Sequence, residues 1–105
     1  KFMVVFQPEL GLKSNLSQEE RAILSKGTDE RKDYADVFPK LYKKFTERSK
    51  EILTKDGINF IDINAHPRFR DNHNTLFIDV VHTNKNGNEI VAEIIKEYLN
   101  KLKKL

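Results

Sequence analysis

A continuous apolar run at residues 2–6 and a mixed segment at residues 58–63, INFIDI, differ from the periodic apolar patterns of the predicted helices. The run is rich in β-branched and aromatic side chains and ends at Pro8, which is typical of a strand buried in a parallel sheet. Residues 58–63 predict a second buried strand. Gln7 and Glu9 then lie just beyond the end of the first strand. The long helical pattern between the two segments predicts that the two strands pair in parallel through a right-handed crossover.

The first helical pattern follows a capping box, in which Ser17 and Glu20 can each bond the backbone amide of the other. We expect a short helix to begin at this point and to stop near Gly27. Residues 28–33 are highly charged and fit either a loop or an early helical turn.

The second helical pattern is clearer and begins after Asp36, a residue type that is typical of an N-cap. Pro39 then falls in the first turn, where proline is tolerated, and Gly57 fits a C-terminal cap. The apolar positions, which recur close to the helical period, are Val37, Phe38, Leu41, Tyr42, Phe45, Ile52 and Leu53.

The third helical pattern spans about residues 85–103 and follows Thr83 or Asn84, either of which can cap it. Gly87 lies in its first turn, and no feature of the sequence explains a glycine there. A polar loop, residues 64–75, precedes the pattern. The order β-α-α-β-loop-α predicts an α/β fold, part of a three-layer α/β/α sandwich.

Length and composition describe one globular domain, residues 1–105. The chain has 105 residues, of which 38% are hydrophobic and 33% are charged. Its longest apolar run is far below the roughly 20 residues that a membrane-spanning helix needs. The chain begins with Lys1 and enters a strand pattern at once, so we expect it to be the C-terminal part of a longer domain.

Charge and cysteine content exclude several classes of function. The net charge is +3, and lysines alternate with glutamates along the predicted helices, as at Lys44 and Glu47. This pattern indicates a solvated helix face rather than the segregated basic surface of a nucleic-acid-binding protein. The absence of cysteine excludes disulfides, thiolate catalysis and cysteine zinc sites.

The candidate catalytic residues are Asp79 and His82, which two residues separate and which precede the last helix. A short apolar stretch, residues 76–78, leads into them, so we expect the pair at the carboxyl end of a strand, where parallel sheets bind ligands. The carboxylate can then accept a bond from His82 Nδ1–H, which leaves Nε2 to take a proton from a serine hydroxyl. The spacing alone is a weak signal, because unrelated proteins often contain Asp-x-x-His.

The residues around this pair resemble the last conserved block of the SGNH/GDSL hydrolases. Residues 77–92, FIDVVHTNKNGNEIVA, contain the Asp-x-x-His, then a polar turn, Gly87 and a helix that opens with apolar residues and Ala92. Residues 60–63 (FIDI) are similar to the strand before that block, and residues 4–8 (VVFQP) to an earlier strand of the same sheet. The resemblance covers nearly the whole chain, and the Asp-x-x-His block is its specific part.

This resemblance implies a flavodoxin-like, five-stranded parallel sheet. It also implies hydrolysis of acyl or acetyl esters on lipids, sugars or cell-surface polymers, with no cofactor. Asp79 and His82 would be catalytic, and the nucleophile would be a serine from a Gly-Asp-Ser block outside this chain. The blocks that hold that serine and the oxyanion-hole Gly and Asn do not occur here. We therefore assign no nucleophile among the serines present, which are Ser14, Ser17, Ser25 and Ser49.

Three histidines raise the alternative of a metal site. Six and eight residues separate His66 from His73 and His73 from His82, which matches no familiar ligand spacing, so we predict no metal site. The loop residues His66, His73, Arg68 and Arg70 fit exposed side chains. The alternative is that they line a substrate entrance and that the arginines attract an anionic substrate.

A second class of function stays open, a catalytically inactive binding or interaction module with an α/β fold. In either case the first strand would present an apolar, unpaired edge. We therefore expect a partner at that edge, either a missing N-terminal half or another chain. No interleaving of aromatic and basic residues indicates a nucleic-acid partner.

Overall fold

The computed structural model describes residues 3–30 and 37–104, and in these ranges the chain forms two strands and four α-helices. The elements are β1 (Met3–Phe6), α1 (Gln18–Glu30), α2 (Phe38–Lys55), β2 (Asn59–Asp62), α3 (Pro67–Arg70) and α4 (Lys85–Lys103). Single 3₁₀ turns lie at Leu10–Leu12 and Ile63–Ala65. Phe2, from the first predicted strand, and Asp36, the predicted N-cap, lie outside the described residues.

The two strands pair in parallel, as the sequence predicts, with Met3 opposite Asn59 and Phe6 opposite Asp62. Helices α1 and α2 provide the long connection that a parallel pair requires. The predicted three-layer α/β/α sandwich with a flavodoxin-like sheet is wrong for this chain. The described residues contain only these two strands of four residues each, and helices make up most of the rest.

A third strand does not form at residues 76–78, where the apolar stretch was expected to continue the sheet. Phe77 makes only an isolated antiparallel bridge with Thr83, and the Ile78 amide donates to the His82 carbonyl at 2.8 Å. The backbone therefore turns back on itself and uses its hydrogen-bonding groups locally. The apolar side chains of Leu76 and Phe77 are buried in the core instead.

The core contains side chains from β2, the two 3₁₀ turns, α3, residues 76–77 and α4. Phe69 and Phe77 pack edge to face, with 5.6 Å between ring centroids, a favoured aromatic geometry. Burying one such side chain stabilises the fold by ~1.5–3 kcal/mol. The buried members are Leu10, Ile61, Ile63, Phe69, Leu76, Phe77 and Ile94.

Helix α1 begins with the predicted capping box, which is confirmed. The Ser17 hydroxyl accepts the Glu20 amide at 3.1 Å, and Glu20 Oε1 accepts the Ser17 amide at 3.0 Å. The helix passes the predicted stop near Gly27 and reaches Glu30. A glycine weakens a helix by roughly 0.5–1 kcal/mol relative to alanine, which is not enough to end it.

Two local signals in the sequence are confirmed at α2, the proline in its first turn and the glycine that follows its end. Pro39 lies in the first turn, and Gly57 follows the helix with a φ of 69°. The Ile58 amide donates to the Leu53 carbonyl at 2.8 Å, and the Gly57 amide donates to the Thr54 carbonyl at 3.1 Å. These two bonds form a Schellman motif, in which glycine adopts the left-handed conformation at low cost.

Helix α4 begins at the cap Asn84, whose Oδ1 accepts the Gly87 amide at 2.9 Å. The structure explains the glycine that the sequence left unexplained. A Cβ at Gly87 would lie 2.3 Å from the Leu76 carbonyl oxygen and 2.9 Å from Thr83 Cβ. Only glycine allows the first turn of α4 to approach the preceding segment so closely.

Helix α2 buries only part of its apolar surface. Thr46 is buried and Tyr42 is half-buried, whereas three apolar side chains elsewhere on the helix and that of its N-cap residue are exposed. We call this set the outer face of α2; its members are Val37, Leu41, Phe45 and Ile52. Across the described ranges, every helix is too short or too polar to cross a bilayer.

Candidate functional site

Asp79 and His82 lie in the turn formed by residues 77–83, directly before α4. The Leu10 amide donates to the Val80 carbonyl at 3.1 Å, which fastens the turn to the segment that follows β1. The pair therefore stands beside the chain that leaves the carboxyl end of β1, although no strand runs directly into it.

The Asp79 carboxylate is held by backbone donors. Its Oδ1 accepts the amides of Val81 at 2.9 Å and His82 at 2.7 Å. The bond from Val81 is the largest cause that lowers the pKa of Asp79; slight burial opposes it, and the contact with His82 adds to it. Asp79 is therefore ionised at neutral pH and can act only as an acceptor.

The His82 ring packs against this carboxylate through Nδ1, which lies 3.0 Å from Asp79 Oδ1 and 2.9 Å from Oδ2. Because an ionised carboxylate only accepts, Nδ1 carries the hydrogen of the neutral ring and Nε2 is its basic nitrogen. The His82 side chain is 73% exposed, and Nε2 bonds none of the described residues. The basic nitrogen is thus open to a reactant.

An open cavity of about 490 Å³ lies beside His82. This volume is within the range of roughly 300–1,000 Å³ that small-molecule pockets occupy. Two of its residues follow β1 directly, so the cavity opens at the carboxyl end of that strand, where parallel sheets bind ligands. The lining residues are Gln7, Pro8, Val81, His82, Thr83, Asn88 and Val91.

No serine of the described chain lines this cavity. Thr83 brings a hydroxyl to it, but that hydroxyl donates to Asn88 Oδ1. Ser17 is held in the capping box and bonds the Thr75 hydroxyl at 2.6 Å. Among the described residues, the cavity therefore places no serine hydroxyl beside the His82 ring.

The other two histidines have different surroundings. His66 is half-buried, and its Nδ1 accepts the Arg68 amide at 3.2 Å, which caps α3. His73 is exposed, and neither ring lines the cavity beside His82. In residues 3–30 and 37–104, no three His, Asp or Glu side chains lie close enough together to hold a metal ion.

The two arginines, which lie in α3 and not in a loop, are paired with carboxylates. Arg68 contacts both Glu93 and Glu97 of α4, and Arg70 pairs with the next residue along the chain at 3.0 Å. Their positive charges are already compensated, so the contacts favour a structural role over attraction of an anionic substrate. Arg68 fastens α3 to α4, the helix that begins at the turn.

A second polar cluster lies at the same edge of the sheet and centres on Asn64, which is 9% exposed. Asn64 Oδ1 accepts the Glu9 amide at 2.8 Å, and Nδ2 donates to the Gln7 carbonyl at 2.7 Å. The Tyr42 hydroxyl donates to the same carbonyl at 3.1 Å. These bonds join the segments that leave β1 and β2 to helix α2.

Asp62, at the end of β2, completes this cluster. It accepts the Asn64 amide at 3.1 Å and pairs with Lys50 at 2.9 Å. Burial is the largest cause that raises the pKa of Tyr42, and the negative charges of Asp62 and Glu9 raise it further. The Tyr42 hydroxyl therefore stays protonated and acts as a donor. A second cavity, of about 440 Å³, opens beside these groups.

A buried ion pair holds the start of the segment that leads to Asp79. Lys13 Nζ contacts Glu20 Oε1, and both side chains are fully buried. Lys13 also donates to the Asn74 carbonyl at 2.8 Å, and Glu20 Oε2 accepts the Leu76 amide at 3.0 Å. The position of the site thus depends on α1 as well as on α4.

The sequence predicted Asp79 and His82 as site residues and gave no such role to Asn88, Val91 or Asn64, which line the two cavities. Asn88 and Val91 reach the first cavity because α4 approaches the turn closely, and the glycine in its first turn was the available signal. The signal for Asn64 was its place just after a predicted strand, where ligand-binding residues of parallel sheets collect.

Comparisons of this chain with protein-family models, with curated proteins and with solved structures find no match. The likeness to the SGNH/GDSL hydrolases therefore stays a prediction based on the residues of this chain.

Proposed function

We propose that this chain supplies the Asp–His pair of a serine esterase or acyl hydrolase of the SGNH/GDSL type. The geometry of Asp79 and His82 supports the proposal. Two backbone amides hold the carboxylate, the carboxylate bonds Nδ1, and the ring lines an open cavity in which no described residue bonds Nε2. An Asp and a His have this arrangement in a Ser-His-Asp triad.

In this function His82 Nε2 takes the proton of a serine hydroxyl while the serine oxygen attacks the ester carbonyl. The ring then gives that proton to the leaving alcohol. Water attacks the acyl-enzyme with the same assistance and releases the acid. Asp79 keeps the ring in the Nδ1–H tautomer and stabilises the imidazolium that forms between these steps.

The serine comes from outside this chain, from a preceding part of the same polypeptide or from another chain. Within the described residues β1 pairs with β2 alone, so its other edge can accept a further strand. A parallel strand added there would bring its carboxyl end to the side of the sheet on which the cavity lies. A nucleophile that follows such a strand would be placed near His82.

The test uses the protein that includes the serine, with a simple acyl ester such as p-nitrophenyl acetate as substrate. His82→Ala should lower kcat by roughly 10³-fold or more, as for loss of a triad base. His73→Ala removes an exposed histidine outside the cavity and is the matched control, with kcat unchanged. Hydrolysis by His82→Ala at nearly the normal rate would refute the assignment.

The chain alone provides a second test of the same proposal. Without a nucleophile, the 105-residue chain should not turn over the ester and should not be labelled by a fluorophosphonate, which reacts with activated serines. Labelling of the chain by itself would show that one of its own serines or threonines is activated, and the proposal of an external nucleophile would then be wrong.

The exposed outer face of α2 favours a second candidate, an interaction module without catalysis. In that case Asp79 serves only to shape the turn, and a partner covers the apolar side chains. Light scattering on the chain alone tests whether the β1 edge or the outer face needs a partner. A cooperative, well-folded monomer would show that neither the β1 edge nor the outer face needs a partner.

A further inference from the structure

A second pocket lies at the same edge of the sheet as the Asp79–His82 site and shares no lining residue with it. The pocket is between α2 and the carboxyl end of β2 and has a volume of about 440 Å³. That volume suits a small molecule, and ligands of parallel sheets bind beyond the carboxyl ends of the strands.

The surface of this pocket is mainly apolar, and a hydrogen bond holds its aromatic side chain in place. Leu12, Pro39 and Ala65 line it together with Tyr42. The Tyr42 hydroxyl donates to the Gln7 carbonyl at 3.1 Å, which holds the aromatic ring in place. A pocket whose side chains are held by such bonds before binding loses less conformational entropy when a ligand enters.

The charges at the rim favour an anion. Asp62 lines the pocket, but Lys50 compensates its charge at 2.9 Å. Lys40 and Lys43 also line the pocket, and within the described residues neither has a carboxylate at ion-pair distance. Glu47 is the other acidic residue of the lining, which therefore carries one more positive charge than negative charges.

We propose that this pocket binds a small amphipathic anion. Its apolar body lies against Pro39 and the ring of Tyr42, and its carboxylate, sulfonate or phosphate group lies beside Lys43 and Lys40. An ionised acceptor strengthens the hydrogen bonds that lysine donates, so the anionic group adds to the apolar contact. The inference is independent of the proposed esterase function, because neither Asp79 nor His82 contributes to the pocket.

Fluorescence titration of the 105-residue chain with 1-anilinonaphthalene-8-sulfonate tests the proposal. N-phenyl-1-naphthylamine has the same ring system without the charge and serves as the matched neutral probe. We expect one saturable site that prefers the sulfonate by about fivefold or more. Equal affinity for the two probes, or binding that does not saturate, would overturn the proposal.

Substitutions on adjacent residues of α2 locate the site. Lys43→Glu should weaken sulfonate binding by about fivefold or more and leave the neutral probe unchanged. Lys44→Glu makes the same change of charge on the next residue, which does not line the pocket, and should have little effect. Equal losses from the two variants would show that only the overall charge of α2 matters.

Two further variants separate the pocket from the outer face of α2, to which an apolar probe can also bind. Ala65→Trp fills the pocket and should weaken both probes, whereas Leu41→Ser should leave both unchanged. Loss of binding with Leu41→Ser alone would place the probe on the outer face and overturn the proposal. Circular dichroism checks each fold, and Lys43→Gln replaces Lys43→Glu if that variant unfolds.

Discussion

One acid–base pair, Lys13 and Glu20, bonds the start of the segment before α4, and a second pair, Asp79 and His82, lies near the end of that segment. The two pairs differ in whether a polar side-chain atom remains without a partner. Lys13 and Glu20 are fully buried, and Glu20 accepts backbone amides with both carboxylate oxygens in addition to pairing with Lys13. The side chains of Asp79 and His82 are 52% and 73% exposed, and His82 Nε2 has no partner among the described residues. The first pair uses its hydrogen-bonding groups to stabilise the fold, whereas the second pair has a basic nitrogen that a reactant can reach.

The difference follows from the cost of removing charge from water. A buried ion is tolerated only when partners satisfy it, so every oxygen of Glu20 is used and the pair tolerates little change. An exposed ion keeps its hydration, so the Asp79–His82 contact contributes little to stability and can be arranged for another purpose.

Removal of the buried carboxylate should have the largest effect on stability. Glu20→Ala leaves the Lys13 ammonium and the Leu76 amide buried without their partner, which should lower the free energy of unfolding by about 3–5 kcal/mol. Asp79→Ala should lower it by about 1 kcal/mol, since water can replace the lost bonds. Urea denaturation followed by circular dichroism measures both.

A double variant checks the reason for that loss. Lys13→Met with Glu20→Leu removes both charges and fills the buried space that the ion pair occupies. This double variant should therefore recover much of the stability lost in Glu20→Ala. If the double variant is no more stable than the single one, the unpaired charge is not the cause.

Gly87→Ala should have the next largest effect, because it adds a methyl group where α4 meets the segment between the two pairs. The Leu76 carbonyl oxygen would lie 2.3 Å from the new Cβ, so backbone has to move, at a cost of about 1–3 kcal/mol. Asn86→Ala, an exposed neighbour in the same turn, is the control and should stay within about 0.5 kcal/mol of the wild type. Thermal unfolding of both variants measures the difference, and equal stability of the two would contradict the close approach.

Asp79→Asn should barely change stability but should change the tautomer of His82. The asparagine oxygen can still accept the Val81 and His82 amides, while its NH₂ group can only donate to Nδ1. In ¹⁵N NMR at a pH where the ring is neutral, His82 should be Nδ1–H in the wild type and Nε2–H in the variant. His66 is an internal reference for the Nε2–H form, because its Nδ1 accepts an amide. An Nε2–H His82 in the wild-type chain would remove the basis of the proposed general base.

The smallest effect concerns acid pH. The pKa of Asp79 is lowered in the fold, so its stabilising contribution is fully present above its ordinary value of 3.8 and is lost as pH falls through the lower folded value. The amide signals of Val81 and His82 should therefore change with a midpoint below 3.8. Asp79→Asn should abolish the transition, and a midpoint at or above the ordinary value would contradict the hydrogen bonds to the carboxylate.

Local features of the fold were predictable where a few neighbouring residues decide them. The capping box of Ser17 and Glu20, the left-handed Gly57 and the cap Asn84 all depend on backbone amides within the same turn. The contact between Asp79 and His82 belongs to the same class, because two residues of a tight turn bring the groups together. The parallel pairing of β1 and β2 also followed from the order of the patterns.

The predicted three-layer sandwich was wrong because the apolar character of a segment does not indicate which elements it packs against. Residues 76–78 have the composition of a strand, yet their backbone bonds to residues 82–84 and two of their side chains enter the core. The apolar pattern of α2 was read correctly as a helix, but half of it faces outward, since the described sheet has only two strands to cover.

By itself, the sequence determined the helix boundaries that caps define, the parallel strand pair and the two residues of the exposed acid–base pair, because each depends on chemistry within one turn or on the order of elements. Only the tertiary structure decided that Lys13 and Glu20 are buried together, that Gly87 touches the segment before α4, and that Asn64 and Tyr42 meet at one carbonyl. These contacts join residues far apart in the chain. These contacts form only where two whole elements approach closely. Local patterns in the sequence do not indicate the distance between elements.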